Sequence, residues 1–167
     1  MWMIQCIKKE LNDVYSFTDF VALSRQAENF NSTVDVNDLS FFSPKSMIQA
    51  VKDYCKNAGE QVPETVGEIA RCVYLSLAES YKKSVEQIEE ITGEKFDKIH
   101  IVGGGCQNVL MNELTAKITG RTVVAGPVEA TATGNILAQM LAVKEIKSLS
   151  EGKALIRDSF EIKEIKA

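Results

Sequence analysis

The chain has one histidine, one tryptophan, three prolines and no cluster of basic residues, and each shortage removes a class of function. The lone histidine, His100, and the scattered cysteines Cys6, Cys55, Cys72 and Cys106 form no C-x-x-C pair, so neither a zinc-ligand pattern nor a Cys/His catalytic pair is present. A net charge of -4 and a pI near 5.2, with lysine and arginine dispersed, give no electrostatic footprint for nucleic acid or an anionic membrane surface. No apolar run approaches the length of a membrane span, and the opening MWMIQCIKKEL lacks the basic start, apolar middle and small-residue cleavage site of a secretory leader. The expectation is a cytoplasmic protein that binds neither nucleic acid nor membrane.

What the chain does have is a core. Its 167 residues are 45% apolar and 25% charged, close to the globular average and about one domain's worth of chain. Ile4, Ile7 and Leu11 fall at helical spacing in residues 1–11, and Phe20, Val21, Leu23 and Ala27 repeat the pattern in 18–29. NSTVDVNDLSFFSPKS then reads as an ordered surface loop, with Phe41 and Phe42 expected to pin it. Ser46 is placed to cap a helix that stops at Gly59. Thr65 and Glu68 match the T-x-x-E capping box and open a long apolar-striped helix that includes Ile69, Cys72, Val73, Leu75, Leu77, Val85, Ile88 and Ile91 and ends at Gly93.

Beyond Gly93 the texture changes to strand 98–102, a glycine turn, helix 108–119, strand 122–125, Gly126-Pro127 and helix 130–143. Such a β-α-β-α run predicts two parallel strands with a right-handed crossover. The fold class read from the residues is α/β, one domain over 1–167. Residues 1–95 are mainly helical, 96–145 carry the β-α-β-α with a short parallel sheet, and 146–167 give a helix and a charged tail. Two strands make an incomplete sheet, and FEIKEI is the one candidate for a third.

HIVGGGCQN joins a strand to a helix through three glycines, which place backbone N–H groups and a helix N-terminus within reach of an oxygen-rich ligand. No Gly-Lys-Ser/Thr follows, so this is not a P-loop, and G-x-G-x-x-G is not matched. Taken alone, the triplet fits a tight structural turn as well as a ligand contact. A second turn, AGPVEATATGN, follows the next strand, and parallel pairing would lay it beside the first at the carboxyl edge where open α/β sheets bind ligands. Ala130, Ala132 and Gly134 fit either a slot for a flat ligand or close helix packing.

The run IHIVGGGCQNVLMNELTAKITGRTVVAGPVEATATGN resembles the adenosine-motif region of the FGGY carbohydrate kinases, and among them the rhamnulokinases. The resemblance continues upstream through SPKSMIQAVKDYC, VPETVGEIARCVYLSLAESY and the opening WMIQ, covering nearly the whole chain. It implies part of an actin-like, ribonuclease-H-like ATPase domain that uses ATP/ADP, with Mg²⁺ as the nucleotide complex, to phosphorylate L-rhamnulose at its 1-hydroxyl. A kinase acting on L-fuculose or another sugar would look similar. The resemblance places Gly104 and Gln5 on the nucleotide, Gly103, Gly105 and Asn108 along the same turn, and Ala130 and Gly134 in the adjoining wall. Family members are much longer than 167 residues, and the catalytic aspartate, both phosphate loops and the sugar site belong to parts not matched here. Asp53, Asp97 and Glu129 do not correspond to that catalytic base. No catalytic or metal-binding residue is therefore assigned, the sugar is a partner of the whole kinase only, and this chain alone is expected to be inactive. The alternative is a non-catalytic module that pairs with a second copy through its open sheet edge.

Three smaller expectations complete the reading. Antiparallel packing of the helices that flank NAGEQVPETVGE would bring Cys55 and Cys72 together, while a reducing compartment disfavours a disulfide. Trp2 and Tyr81 read as core aromatics, and Cys106 as a small packed turn residue. His100 is expected to face a covering helix.

Overall fold

Four helices form in the first half of the chain, and the last three are each begun by a side-chain cap. The computed structural model describes residues 1–167 and divides into two units, Met1–Thr92 and Gly93–Ala167. In the first, α1 (Trp2–Glu10) buries Met3, Ile4 and Ile7. Trp2 is 48% exposed rather than part of the core, because it lies on the opposite side of the helix from Ile4 and Ile7. Ser16 and Asp19 make a reciprocal capping box that starts α2 (Phe17–Gln26), and these bonds from Ser16 hold the Asp19 carboxyl below its usual range.

The start of α3 (Met47–Asn57) is held by two residues. Ser46 Oγ accepts from Gln49 N at 2.9 Å, as expected for a cap. From α1, the Glu10 carboxylate accepts the Ser46 hydroxyl and the amides of Met47 at 2.9 Å and Ile48 at 3.2 Å. A negative charge thus sits on the donor-rich end of a neighbouring helix, which ties α1 to α3. The loop between α2 and α3 is ordered, though only one of its two phenylalanines pins it. Phe41 is buried and packs its ring, tilted, against Tyr54 with centroids 5.5 Å apart, whereas Phe42, the next residue after the 3-10 turn Leu39–Phe41, points away and is 82% exposed.

α4 (Val66–Thr92) is the axis of this unit. All residues from Cys72 to Ala78 are buried, and Tyr74 is the largest fully buried side chain. Tyr81 is half-buried, and desolvation raises its phenol pKa. Gly67 is where α2 and α4 come closest: a Cβ there would lie 2.6 Å from the carbonyl oxygen of Leu23. Ser76 turns its hydroxyl to the Cys72 carbonyl at 2.6 Å and accepts Val34 N at 2.8 Å, which secures the loop to the helix. Past Ala78 the burial fades, and Ile88 and Ile91 are 49% and 85% exposed. Cys55 and Cys72 do meet, with sulfurs 4.0 Å apart and both thiols free. Burial raises both pKa values, so these are inert thiols packed as small apolar groups.

The second unit begins after Gly93, whose φ of +71° turns the chain out of α4. Its order is β1 (Lys98–Ile101), α5 (Val109–Thr119), β2 (Thr122–Ala125), α6 (Ala130–Ala142), α7 (Leu149–Ser159) and β3 (Lys163–Ile165). β1 and β2 are parallel, with Lys98 opposite Thr122 and Ile101 opposite Ala125. β3 pairs antiparallel with β2, so the sheet is mixed rather than purely parallel, and the segment read as a charged tail ends in a strand. FEIKEI does supply the third strand, although its apolar Ile162 and Ile165 stand three apart and give no two-residue alternation.

One face of the sheet forms the core of this unit, with Cys106, Ala116, Val123 and Ala125 packed against Ile99, Ile101 and Ile165. His100 lies on the other face and is exposed rather than covered by a helix. Its row includes Val124 and Glu164, and the Lys98–Glu164 ion pair at 2.8 Å spans the same face from β1 to β3.

The cap of α4 gives a direct test. Glu68 accepts the amides of Glu64 at 2.8 Å and Thr65 at 2.9 Å, while its own amide donates to Thr65 Oγ1 at 3.2 Å. The Thr65 and Glu64 amides hold its pKa below the ordinary carboxylate value. A depressed folded-state pKa contributes stability that is complete above the unfolded-state value, about pH 4.3, and is lost as pH falls through the folded value. Glu68→Ala should therefore cost about 1 kcal/mol at neutral pH and less in acid. Urea unfolding of both proteins across pH 2–7 checks this; a difference independent of pH would contradict it.

Candidate functional site

The glycine triplet follows β1 directly and carries no bulk. Gly103 adopts φ +75°, and residues Gly104–Gln107 wind into a short 3-10 turn before Asn108. Asn108 caps α5, its Oδ1 accepting Met111 N at 2.9 Å. A Cβ placed on Gly104 or Gly105 would meet nothing within 4 Å, so their backbone is uncovered. Three exposed valines, Val102, Val109 and Val128, belong to the chain around the two turns.

The second turn lies beside the first, as parallel pairing requires. Gly126 N donates to Ile101 O at 2.9 Å, and Gly103 N donates to Pro127 O at 3.0 Å, so each turn holds the other at the carboxyl end of the sheet. Ala130 opens α6, and Gly134 is exposed one turn further along. A Cβ on Gly134 would also meet nothing within 4 Å, so no neighbouring helix packs against it. Gly103, Gly104, Gly105 and Asn108 therefore share one turn, with Ala130 and Gly134 on the helix that leaves its neighbour. Gln5 belongs to the other unit, on the exposed side of α1.

Two features were not anticipated from sequence. Gly126, with φ +118°, is filled from its own chain: a Cβ there would stand 2.9 Å from Glu161 O and 3.6 Å from the Ile162 Cα. The other is Asn112, 3% exposed on the inner side of α5, whose Nδ2 donates to the Cys106 carbonyl at 2.8 Å. Its Oδ1 is buried without a partner. A polar residue one helical turn after the Asn108 cap, sharing its helix face with Ala116, is the pattern that could have revealed it.

Charge and donor chemistry narrow what the turn can take. Between Ile101 and Ala116 the one ionised side chain is Glu113, so no cation stands ready for phosphates. No group of three His, Cys, Asp or Glu side chains could hold a metal ion. The turn thus offers backbone N–H groups and the Asn108 amide, with no metal-ligating cluster beside them. A cavity of about 590 Å³ in the first unit borders Asp38 and Asp53, but these carboxylates are already engaged, by Ser40 N at 2.8 Å and Gln49 Nε2 at 2.9 Å. No helix is long and apolar enough to cross a membrane.

The sequence model for the FGGY family of carbohydrate kinases, C-terminal domain, matches residues 2–143, and the chain belongs to that family. The fold of this domain is that of the actin-like ATPases. Within the family the chain is similar to rhamnulokinases. It is 47% identical over 163 residues to the rhamnulokinase of Halalkalibacterium halodurans, covering 98% of this chain and 35% of that protein. For Bacillus subtilis the identity is 41%, and for Ligilactobacillus salivarius 44%, each covering 98% of this chain and 34% of the relative. The chain thus spans about a third of the length of the curated relatives it matches.

Asn112 offers a test of how the turn is held. Asn112→Asp would set a buried carboxylate against the Cys106 carbonyl and should cost about 3 kcal/mol at neutral pH. Burial raises the pKa of such an acid, so its penalty is smallest below about pH 4 and grows as pH rises. Denaturant unfolding at several pH values should show the variant approaching the parent in acid; a constant deficit would contradict the assignment.

Proposed function

We propose that the chain supplies the adenosine side of the ATP site of a sugar kinase. The reaction of the whole enzyme would pass the γ-phosphoryl of Mg-ATP to the 1-hydroxyl of L-rhamnulose. The observation that carries this reading is the uncovered, uncharged backbone of Gly104 and Gly105 just beyond the carboxyl end of β1, the position at which open α/β sheets bind ligands. Gly104 would approach the nucleotide most closely, with Gly103, Gly105 and Asn108 beside it and Ala130 and Gly134 as the adjoining wall; Gln5 is assigned to the nucleotide by the family resemblance alone. Asn108 uses its Oδ1 to cap α5, which leaves its amide N–H groups for a ligand. Val102, Val109 and Val128 would give a purine ring an apolar border.

ATP supplies the phosphoryl group, and Mg²⁺ would arrive as its complex rather than on ligands from this chain. No carboxylate here, including Asp53, Asp97 and Glu129, is given the task of taking the proton from the sugar hydroxyl. L-Fuculose or another sugar remains the competing substrate, because sugar contacts are assigned to parts of the kinase beyond this chain. The two units are read as one functional domain, since the family match runs across both, and the cytoplasmic ATP pool is the setting in which such an enzyme would work.

Calorimetry with ADP tests the site: the parent chain should bind, and Gly104→Val should weaken binding at least about tenfold, or 1.4 kcal/mol. Unchanged affinity would place the site elsewhere. In the same series the 167-residue chain should phosphorylate neither L-rhamnulose nor L-fuculose, and ATP-dependent product from either would overturn its assignment as a contributing domain only.

A second reading rests on the sheet order β1-β2-β3, in which the outer edge of β1 has no partner within the chain. Such an edge can pair with a strand from a second copy. Light scattering over a range of concentrations should then show a dimer, and a monomer throughout would remove this reading.

A further inference from the structure

The segment beyond residue 143 lies outside the family match, yet it returns to the sheet. We propose that β3 is a strap that sets the position of the two glycine turns, which makes the C-terminal segment a positioning element for the adenosine site; this rests on the reading of that site given above.

A chain of contacts links β3 to the glycine turns. Ile165 packs into the core beside Val123 and Ala125, and β3 pairs with the last three residues of β2, Val123 with Ile165 and Ala125 with Lys163. Where β2 ends, Glu161 and Ile162 press onto Gly126 so closely that even a Cβ would collide with the Glu161 carbonyl at 2.9 Å. Gly126 N is held by Ile101 O, and the next carbonyl, that of Pro127, receives Gly103 N. The backbone of the strap thus bears on one turn, and that turn holds the first glycine of the other. Gly104 shows the opposite condition, since nothing in the chain approaches it. One turn is packed from behind so that the other can stay open in front.

Three paired residues make a short strand, and short edge elements open more readily than the core they border. The Lys98–Glu164 pair adds little, because both side chains are about half exposed. Release of β3 would free Gly126 and with it the hydrogen bond from Gly103, without unfolding α5 or the first unit. The order of the nucleotide-facing turn therefore follows the attachment of the strap.

Hydrogen exchange on the full chain tests this without nucleotide. Ile165→Asp, which places a charge in the core contact, and Gly126→Ala, which obstructs Glu161, should each speed exchange of residues 102–108 at least about tenfold while α4 keeps its protection. Ile165→Val should behave like the parent. If Gly126→Ala fails to fold, Ile165→Thr offers a milder change with the same expected direction. Unchanged exchange at 102–108 in the folded variants would overturn the strap, as would loss of protection spread evenly through α4. ADP calorimetry on the same proteins keeps the two readings apart. Faster exchange in the variants, with a parent that binds no ADP, would support the strap and refute the adenosine site, whereas ADP affinity lowered by Gly104→Val with exchange unmoved by Ile165→Asp would do the reverse.

Discussion

The parallel register of β1 and β2 is the constraint from which the second unit follows. Lys98 opposite Thr122 brings both strands to an end at the same level, so the turns that leave them have to run side by side. Backbone hydrogen bonds then close the gap in both directions, from Gly126 to Ile101 and from Gly103 to Pro127. A slip of one residue would reverse the facing of Ile99, Ile101, Val123 and Ala125 and expose the core they share with Cys106 and Ala116. The same apolar pattern that holds the sheet therefore also fixes where the open backbone of Gly104 is presented.

The first unit achieves order by different means. Three of its helices, α2, α3 and α4, begin with charged or hydroxyl groups that satisfy first-turn amides, and one of these groups comes from another helix. Glu10 does for α3 what Asp19 and Glu68 do for their own helices, at a separation of more than thirty residues along the chain. A local device thereby becomes a tertiary contact. The thiols of Cys55 and Cys72 contribute through packing, since burial suppresses the thiolate that their chemistry would require.

The sequence was readable where one local rule decided the outcome. The T-x-x-E box, Ser46, Gly59, Gly93 and the β-α-β alternation all fell within a residue or so of the observed elements. It was unreadable where the deciding partner is remote. Glu10 gives no local hint that it caps α3, and Phe41 and Phe42 are chemically alike although only one faces Tyr54. Nothing local to Gly126 announces that Glu161 will occupy its open side. The site was half legible for the same reason: the glycines and the Asn108 cap are contiguous, while Asn112 acts through a hydrogen bond that only the folded helix brings within reach. Trp2 and His100 were misjudged because residue type suggested burial, whereas their places on α1 and β1 give them exposure.

The contact at Gly67 has a consequence for how this architecture can change over generations. Where α2 meets α4, main chain faces main chain, with Leu23 O in the space a Cβ would need. Most helix crossings drift as side chains at the contact grow or shrink, with compensating changes opposite. This one has no side chain at its closest point through which to drift. Descendants of the sequence can vary the loop that follows α2 and the exposed end of α4, yet the crossing itself is inherited as a fixed dimension.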